Sequence, residues 1–525
     1  MLSGHGMAPI CAGVGCARAT FLVSVANSSI NRPLHWNNQS GARYAPASGI
    51  QQRVCTGGVC YYLSVNNCFW YLPAHAAVRR QVPFCELRRR RWKLRENGTD
   101  LAPDEKETKK ATALASVMEL FVGQIDGLAD TFPLAAVAIK ELADSSRKQM
   151  TDFVETKLRP ALNADDKTRR WIADPAAIST IRRLSNRAQR SLQAAELVPR
   201  SLLVSLVSQF DAFIGALVRA LFKTRPDVLN SSSNTLTFSQ LASFRSLSDA
   251  REYIVDKEVD SLLRKSHAEQ FDWLENKFGL PLRKDLPAWQ TFIEITERRN
   301  LFVHANGIVS QQYLEVCGKN GCKLESGARF GESLSVSRAY FEAAHECIFE
   351  IGIKLAQVLW RKLSPEGIAE ADLNLINVCY ELLFEGRFRL AKILSDFAAE
   401  ALKKHSSENA RLTMVVNRAQ AYKWLGDNDA AQKIISEEDW TAASLRFRLA
   451  QAVLLDNFSA VYDTMRKIGT GQEMARGYYR DWPLFKEMRK LDEFARTFEE
   501  IYGEPLNTIS QEAKMAQLPA DHAIN

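Results

Sequence analysis

The segment that most constrains the fold is residues 201–222, SLLVSLVSQFDAFIGALVRALF, because it is apolar at nearly every helical step. Large apolar residues recur there at spacings of three and four: Leu203, Leu206, Val207, Phe210, Phe213, Ile214, Leu217 and Leu221. This spacing places them on one wide face of an α-helix, which is stable only when other helices cover it. The segment therefore predicts the central helix of a bundle, and Pro199 is expected to mark its start.

Further helical patterns follow and predict an all-α fold. A charged helical segment covers residues 248–279, and the next helix ends near Gly307. About 25 residues of loop or short hairpin are expected after Gly307, before an amphipathic helix that runs to about residue 363. These patterns predict a helical bundle over residues 201–363, preceded by accessory helices over residues 101–200.

Residues 366–505 change character and look like one unit repeated. Three segments, NVCYELLFEGRFRLAKILSDFA, NRAQAYKWLGDNDAAQKIISE and RFRLAQAVLLDNFSAVYDTMRKI, each read as helix, turn and helix. In the second unit, Gly426, Ala430 and Ala431 supply small residues at positions where two helices would pack closely. The pattern resembles helix–turn–helix repeats of the tetratricopeptide type. An irregular helical bundle is the alternative.

The first 100 residues differ from the rest in charge and periodicity. They contain 12 Lys and Arg against 3 Asp and Glu, and no acid precedes Glu86. We expect residues 1–100 to be disordered, or to be a spurious N-terminal extension. Their cysteines include two Cys-x4-Cys pairs, which could be read as half zinc sites but lack paired histidines. Residues 506–525 are expected to form a flexible tail.

The remaining 425 residues are nearly balanced in charge, with 56 Lys and Arg against 58 Asp and Glu. Any contact with nucleic acid in this part must therefore be local. No run of 18 uncharged apolar residues occurs, so we predict no membrane span. The four cysteines of this part are scattered, which is typical of reduced thiols in a cytoplasmic protein. They are Cys317, Cys322, Cys347 and Cys379. Cys317 and Cys322 flank a turn and lack further metal ligands nearby, so no metal or cofactor is expected there.

Polar groups gather in ERRNLFVHANG, residues 297–307, at the end of the third predicted core helix. At about 100° per residue, Glu297, Asn300 and His304 fall near one line, whereas Arg299 lies about 140° round from His304. A histidine in a last helical turn can exchange a proton near neutral pH, and an arginine offers donors suited to phosphate oxygens. Helix ends also carry such residues for reasons of stability alone. Leu301 and Val303 are expected to fill the core.

RNLFVH resembles the Arg-x4-His motif of the HEPN superfamily (higher eukaryotes and prokaryotes nucleotide-binding). The similarity extends through ERRNLFVHANGIVSQQYLEV, and GESLSVSRAYFEAAHECIFEIGIKLAQVLWRKL resembles the fourth helix of that family. Residues 201–223 resemble its first helix, so the resemblance covers about 160 of 525 residues. It implies a four-helix bundle that often dimerises and brings two motifs into one cleft.

The resemblance also implies a metal-independent endoribonuclease. In such an enzyme Arg299 would bind the scissile phosphate, Asn300 would orient its partners, and His304 would assist attack by the 2′-hydroxyl or protonate the leaving oxygen. Asp211 interrupts the apolar helix and is a further candidate, either paired with Arg299 or simply exposed. RNA, a second copy of the chain and a protein bound by the repeats are the implied partners. This arrangement would suit a toxin or an antiphage defence effector. A catalytically silent scaffold is the alternative.

Overall fold

The computed structural model describes strand Leu22–Val25 and residues 105–160, 169–231 and 235–506. The described residues form a small unit within residues 1–103 and 157–177, and a larger one over residues 104–156 and 178–525. Strand Leu22–Val25 lies in the segment predicted to be disordered. The rest of residues 1–100, with their proposed zinc ligands, and the predicted tail beyond residue 506 fall outside the described residues.

The small unit contains a three-stranded antiparallel sheet that the sequence analysis did not predict. Its strands are β1 (Leu22–Val25), β2 (Arg159–Pro160) and β3 (Arg169–Ile172), in the order β1-β3-β2. Ile172 of β3 lies opposite Leu22 of β1 and opposite Arg159 of β2.

The larger unit is built from helices, and 76% of the described residues are helical, which confirms the all-α class. Its first eight helices are α1 (Glu105–Lys157), α2 (Pro175–Thr224), α3 (Phe238–Ser243), α4 (Leu247–Leu263), α5 (His267–Phe278), α6 (Trp289–His304), α7 (Gln311–Lys319) and α8 (Arg338–Leu363). A 3₁₀ turn, Pro226–Ser231, follows α2, and another, Pro365–Gly367, follows α8.

Helix α2 is much longer than the sequence suggested, because it does not start at Pro199. It begins at Pro175 and passes through Pro199, whose cost inside a helix is about 3 kcal/mol when nothing offsets it. The second half of α2 is buried along the predicted apolar face, and that packing is the compensation the structure offers. The first half, residues 178–199, runs antiparallel to residues 134–156 of α1. Ser191 lies 3.0 Å from Ser146, and Arg187 donates to Gln149 over 3.4 Å. We call this helical pair the arm.

Two helices are long and apolar enough to cross a membrane when judged by length and composition alone. They are residues 113–157 of α1 and all of α2, with 22% and 50% of the apolar window buried in the protein. In α2 the apolar residues are the buried core face of the bundle. The absence of a membrane span therefore stays a prediction.

One continuous core joins α1, the bundle and the first repeat helices, from Leu114 to Ala421. Phe121 of α1 is stacked on Phe213 of α2 with ring centroids 4.1 Å apart. It also lies directly against Gly352 of α8, where an added Cβ would overlap the Phe121 ring. Close approach of α1 to α8 therefore depends on the missing side chain at Gly352.

The predicted loop after Gly307 contains helix α7. Ser310 caps this helix by accepting a hydrogen bond from the Tyr313 backbone N–H, and Tyr313 is buried. Cys317, also buried, accepts a backbone hydrogen bond from Cys322 across the turn that follows α7. The predicted turn between these cysteines is therefore present, but a short helix with two buried side chains precedes it.

Each of the three predicted helix–turn–helix segments contains its turn, and residues 368–502 form successive helices. They are α9 (Ile368–Phe384), α10 (Phe388–Glu400), α11 (Glu408–Trp424), α12 (Asn428–Ser436), α13 (Leu445–Leu454), α14 (Phe458–Ile468), α15 (Arg476–Asp481) and α16 (Asp492–Tyr502). Short 3₁₀ turns, Pro483–Phe485 and Met488–Lys490, separate the last two helices. Ala431 is fully buried, as close packing within the second pair requires. The likeness to tetratricopeptide repeats stays a prediction.

Candidate functional site

Helix α6 presents the Arg-x4-His segment, and His304 is its last residue, as predicted. The Leu301 carbonyl accepts hydrogen bonds from the N–H groups of Ala305 and Gly307, over 2.8 and 3.0 Å. Ala305 is the C-cap, so the left-handed residue after it is Asn306, with Gly307 following at φ 81°. The helix therefore ends close to Gly307, as predicted, with Gly307 as the second residue after the cap.

Arg200 holds the turn that follows α6. This buried side chain donates to the Asn306 carbonyl over 3.2 Å and to the Leu334 carbonyl over 3.0 Å. Its guanidinium also lies 5.4 Å from the Phe302 ring centroid. Because a planar guanidinium can satisfy several carbonyls at once, Arg200 fixes the position of the helix end that carries His304.

Arg298 points into the protein, away from any binding surface. Only 2% of its side chain is exposed, and its Nε donates to Glu294 over 2.7 Å. The hydroxyls of Tyr313 and Tyr340 each donate to the same carboxylate over 2.7 Å, and the Arg298 guanidinium lies 4.0 Å from the centre of the Tyr340 ring. Burial and then the nearby Glu294 carboxylate raise the pKa of both tyrosine hydroxyls. Arg298 is thus a structural residue.

Arg299 lies in a different cluster, with Asp211 of α2 and His267 of α5. Arg299 Nη2 donates to Asp211 Oδ2 over 2.8 Å, and His267 Nε2 lies 2.9 Å from Asp211 Oδ1. The arginine and aspartate side chains are 20% and 27% exposed, whereas His267 is 6% exposed. Asp211 was expected to be either paired with Arg299 or exposed, and in the structure it is paired. Its carboxylate bridges two basic side chains, Arg299 and His267.

Arg299 keeps unused hydrogen-bonding capacity beside this carboxylate. Its Nε is buried without a partner, and among the described residues its Nη1 donates no hydrogen bond. A guanidinium carries five N–H groups, and a buried donor without an acceptor costs about 1–3 kcal/mol. The side chain is therefore positioned by Asp211 with Nη1 unengaged among the described residues, whereas Nε is shielded from solvent.

Glu297 and Asn300 extend the cluster along α6. Asn300 Nδ2 donates to Glu297 Oε1 over 3.4 Å, as expected for side chains three residues apart on one helical face. Burial raises the pKa of Glu297, while Asn300, His267 and Arg299 act in the opposite direction. Glu297 therefore takes up a proton more readily than an exposed glutamate would.

His304 is exposed at the helix end and makes no hydrogen bond or ion pair with the described residues. It lies one turn beyond Asn300, on the same line of the helix. Arg299 is five residues earlier, which corresponds to about 7.5 Å along the axis and about 140° of rotation. The structure thus joins Asp211 to Arg299 and leaves His304 apart from that pair. Val303 is 49% exposed, so its predicted core role is wrong, whereas Leu301 is buried.

His267 is the member of the cluster that the sequence analysis missed. It is the first residue of α5, which Ser266 and Glu269 open with a reciprocal capping box. Its ring packs against Phe210 and Phe292, with centroids 6.3 and 5.6 Å away. The capping box in the sequence indicates where the helix starts. The contact of His267 with Asp211, which is 56 residues away in the chain, cannot be predicted from residue spacing.

The described residues contain no group of three or more His, Cys, Asp or Glu side chains that could hold a metal ion. Cys317, Cys322, Cys347 and Cys379 are free thiols. Burial is the main cause that raises the pKa of each of these four thiols. Their thiolate forms, which are the reactive and metal-binding ones, are therefore disfavoured.

Arg299 can bind an anion and His304 can exchange a proton, but the two side chains lie on different sides of α6. Comparison with protein-family models, curated proteins and solved structures finds no match for this chain.

Proposed function

We propose that the protein is a metal-independent endoribonuclease of the HEPN type, whose bundle dimerises and whose C-terminal helices are tetratricopeptide-like repeats that bind a protein partner. The observation that carries the proposal is the state of Arg299. Asp211 orients its guanidinium through Nη2, yet Nη1 donates no hydrogen bond among the described residues. An oriented guanidinium with free donors is suited to a phosphate oxygen.

The proposed reaction is a transesterification, which leaves a 2′,3′-cyclic phosphate on one RNA product and a 5′-hydroxyl on the other. The ribose 2′-hydroxyl attacks the adjacent phosphorus, the bond from phosphorus to the 5′-oxygen breaks, and a 2′,3′-cyclic phosphate forms. One proton leaves the 2′-hydroxyl and one reaches the departing 5′-oxygen, so a side chain that exchanges protons is needed. His304 takes that role, Arg299 binds the non-bridging oxygens, and Asn300 and Asp211 act as positioning residues.

His304 and Arg299 do not converge within one chain, and this supports a site completed by a second copy. The resemblance to the HEPN superfamily implies such a dimer, in which the exposed His304 of one copy would approach a phosphate held by the other. A second copy of the chain is therefore part of the proposal, together with RNA as substrate.

A catalytically silent scaffold is the second candidate, and one contact favours it. Asp211 already neutralises part of the charge of Arg299, and a guanidinium that is paired with a carboxylate attracts a phosphate less strongly. In this reading the bundle dimerises and the repeats provide the working surface.

Incubation of the purified protein with total RNA, with and without EDTA, tests the choice. We expect cleavage that EDTA does not change and that Arg299→Ala and His304→Ala each abolish. Val303→Ala is the matched control, because Val303 is an exposed neighbour of His304 and has no proposed role. Cleavage by His304→Ala at the wild-type rate would exclude the nuclease, and an inert wild-type dimer would favour the scaffold.

A further inference from the structure

The arm carries an arginine face on α2, and the acidic residues of its other helix, Glu141, Asp144, Asp152 and Glu155, form no ion pair with these arginines. Four arginines of α2 are exposed and form no ion pair with the described residues, and only Arg187 has a side-chain partner there, Gln149. They are Arg182, Arg183, Arg187 and Arg190. Glu196 is the only acidic residue between residues 178 and 199. This concentration is unusual in a body whose overall charge is close to neutral.

The same arginines line a recess. Its volume is about 600 Å³, and it is bounded by the four arginines together with Leu142, Asn186, Ser191 and Ala194. Leu142 is 45% exposed, so an apolar side chain lies open among positive charges. The surface thus combines donors suited to anions with an apolar floor.

Packing within the chain gives no account of this face. Arg183 and Arg187 are four residues apart, and Arg187 and Arg190 three apart, so like charges are neighbours on one helical face. Such pairs each destabilise a helix by roughly 0.2–0.5 kcal/mol. A polyanion bound along the face would remove that repulsion.

We propose that the arginine face of the arm binds the phosphate backbone of single-stranded RNA, as a contact for the substrate away from the cleavage site. This proposal rests on the proposed function, because it names the substrate that the face holds. Arginine forks bind phosphate oxygens, and guanidinium planes also stack on unpaired bases. The apolar floor formed by Leu142 and Ala194 can contact a ribose or base edge.

The arm and the candidate site are joined by one helix, which sets the length of RNA that reaches both. Arg190 and Arg182 precede Asp211 by 21 and 29 residues, or about 32 and about 44 Å along α2. At about 3.4 Å per stacked nucleotide, these distances correspond to roughly 9 to 13 nucleotides. An RNA of about 20 nucleotides therefore spans both, whereas one of about 6 does not.

Binding of a labelled 20-nucleotide single-stranded RNA, measured by fluorescence anisotropy, tests the proposal. The full chain carries His304→Ala in every sample, so that the RNA stays intact. The arm variant replaces Arg182, Arg183 and Arg190 with Gln, because these three arginines have no side-chain partner among the described residues. A control variant makes the same change at three exposed arginines paired with glutamates, Arg389, Arg476 and Arg496.

We expect the arm variant to bind RNA at least about tenfold more weakly, while the control stays close to the parent protein. The slope of log K against log salt should fall by about 2, since each phosphate contact to a single strand contributes about 0.7. Unchanged binding by the arm variant, equal losses in both variants, or no RNA binding by the parent would overturn the proposal. Tighter binding to vesicles with 30% phosphatidylserine than to RNA would overturn it as well.

Cleavage assays separate this proposal from the proposed function. With His304 restored, the arm variant should cleave a 20-nucleotide RNA more slowly and a 6-nucleotide RNA at the wild-type rate. If the arm binds RNA as expected but the wild type cleaves none, the nuclease fails and the arm proposal stands. If the wild type cleaves and the arm variant cleaves both RNAs equally well, the arm proposal fails and the nuclease stands.

Discussion

Replacing Arg298 with Ala should mainly lower stability, whereas replacing its neighbour Arg299 with Ala should mainly abolish the proposed RNA cleavage. In Arg298→Ala, the Glu294 carboxylate, 7% exposed, loses its cation and keeps only the two tyrosine hydroxyls. Removal of one partner from a buried pair costs about 3–5 kcal/mol. The variant also loses the hydrogen bond to the Ser335 carbonyl and the contact with Tyr340.

Arg299→Ala should cost much less. Its pair with Asp211 is 20% and 27% exposed, so water compensates part of the loss, and Asp211 keeps its contact with His267. The free energy of unfolding should fall by about 1–2 kcal/mol, which lies between the values for exposed and for buried ion pairs. RNA cleavage should nevertheless disappear in Arg299→Ala, because the lost donors are those proposed for phosphate.

Hydrogen exchange measured by mass spectrometry on peptides from α6 separates these effects, since it reports local opening without requiring a two-state protein. At about 1.4 kcal/mol per factor of ten, Arg298→Ala should lower protection by roughly 100- to 4,000-fold and Arg299→Ala by roughly 10-fold. The double variant Glu294→Gln/Arg298→Met should recover much of the loss, because no unpaired buried charge remains and Glu325, the other partner of Arg298, is 48% exposed. Equal losses in the two single variants would refute the division into structural and functional arginines.

Three further predictions concern packing and charge in the larger unit. Gly352→Ala should lower stability by about 1–3 kcal/mol, seen as a lower thermal midpoint, because the new Cβ overlaps the buried ring of Phe121. Glu297→Gln should raise stability at pH 7: burial raises the folded pKa of Glu297 above 4.5, so its ionised form opposes folding, and the gain should vanish below pH 4.5. Ala431→Leu should overpack the second helix pair and lower the free energy of unfolding by about 1–3 kcal/mol, as measured by urea titration. Asp429→Leu, which places the same side chain at an exposed position, should lower it much less.

Periodicity was a sufficient guide wherever burial follows helical spacing. The apolar face of α2, the end of α6 at His304 and the turns between the C-terminal helices all follow local rules of burial or of capping. Pro199 shows the limit of a local rule. Proline favours a helix start, but packing of the second half of α2 maintains one helix through it.

Long-range contacts were the part that the sequence could not supply. Spacing in ERRN does not reveal that Arg298 faces a buried glutamate while Arg299 faces Asp211, since either could have pointed outward. The contact between Asp211 and His267 depends on how α2 and α5 pack against each other, which is a property of the tertiary structure. Helix α7 was missed because its nine residues cover too few turns for a helical period to stand out, and the hydroxyl of its buried Tyr313 depends on Glu294 of α6.

The separation of His304 from Arg299 is the feature on which the choice between enzyme and scaffold depends. Five residues of helix put them about 140° apart, and Asp211 holds Arg299 on its own side. If two copies form one cleft, an arginine from one and a histidine from the other can serve the same phosphate. Mixed dimers of Arg299→Ala with His304→Ala should then regain part of the lost cleavage, because one composite site is intact. If each chain acted alone, every chain in the mixture would lack one group and no activity would return.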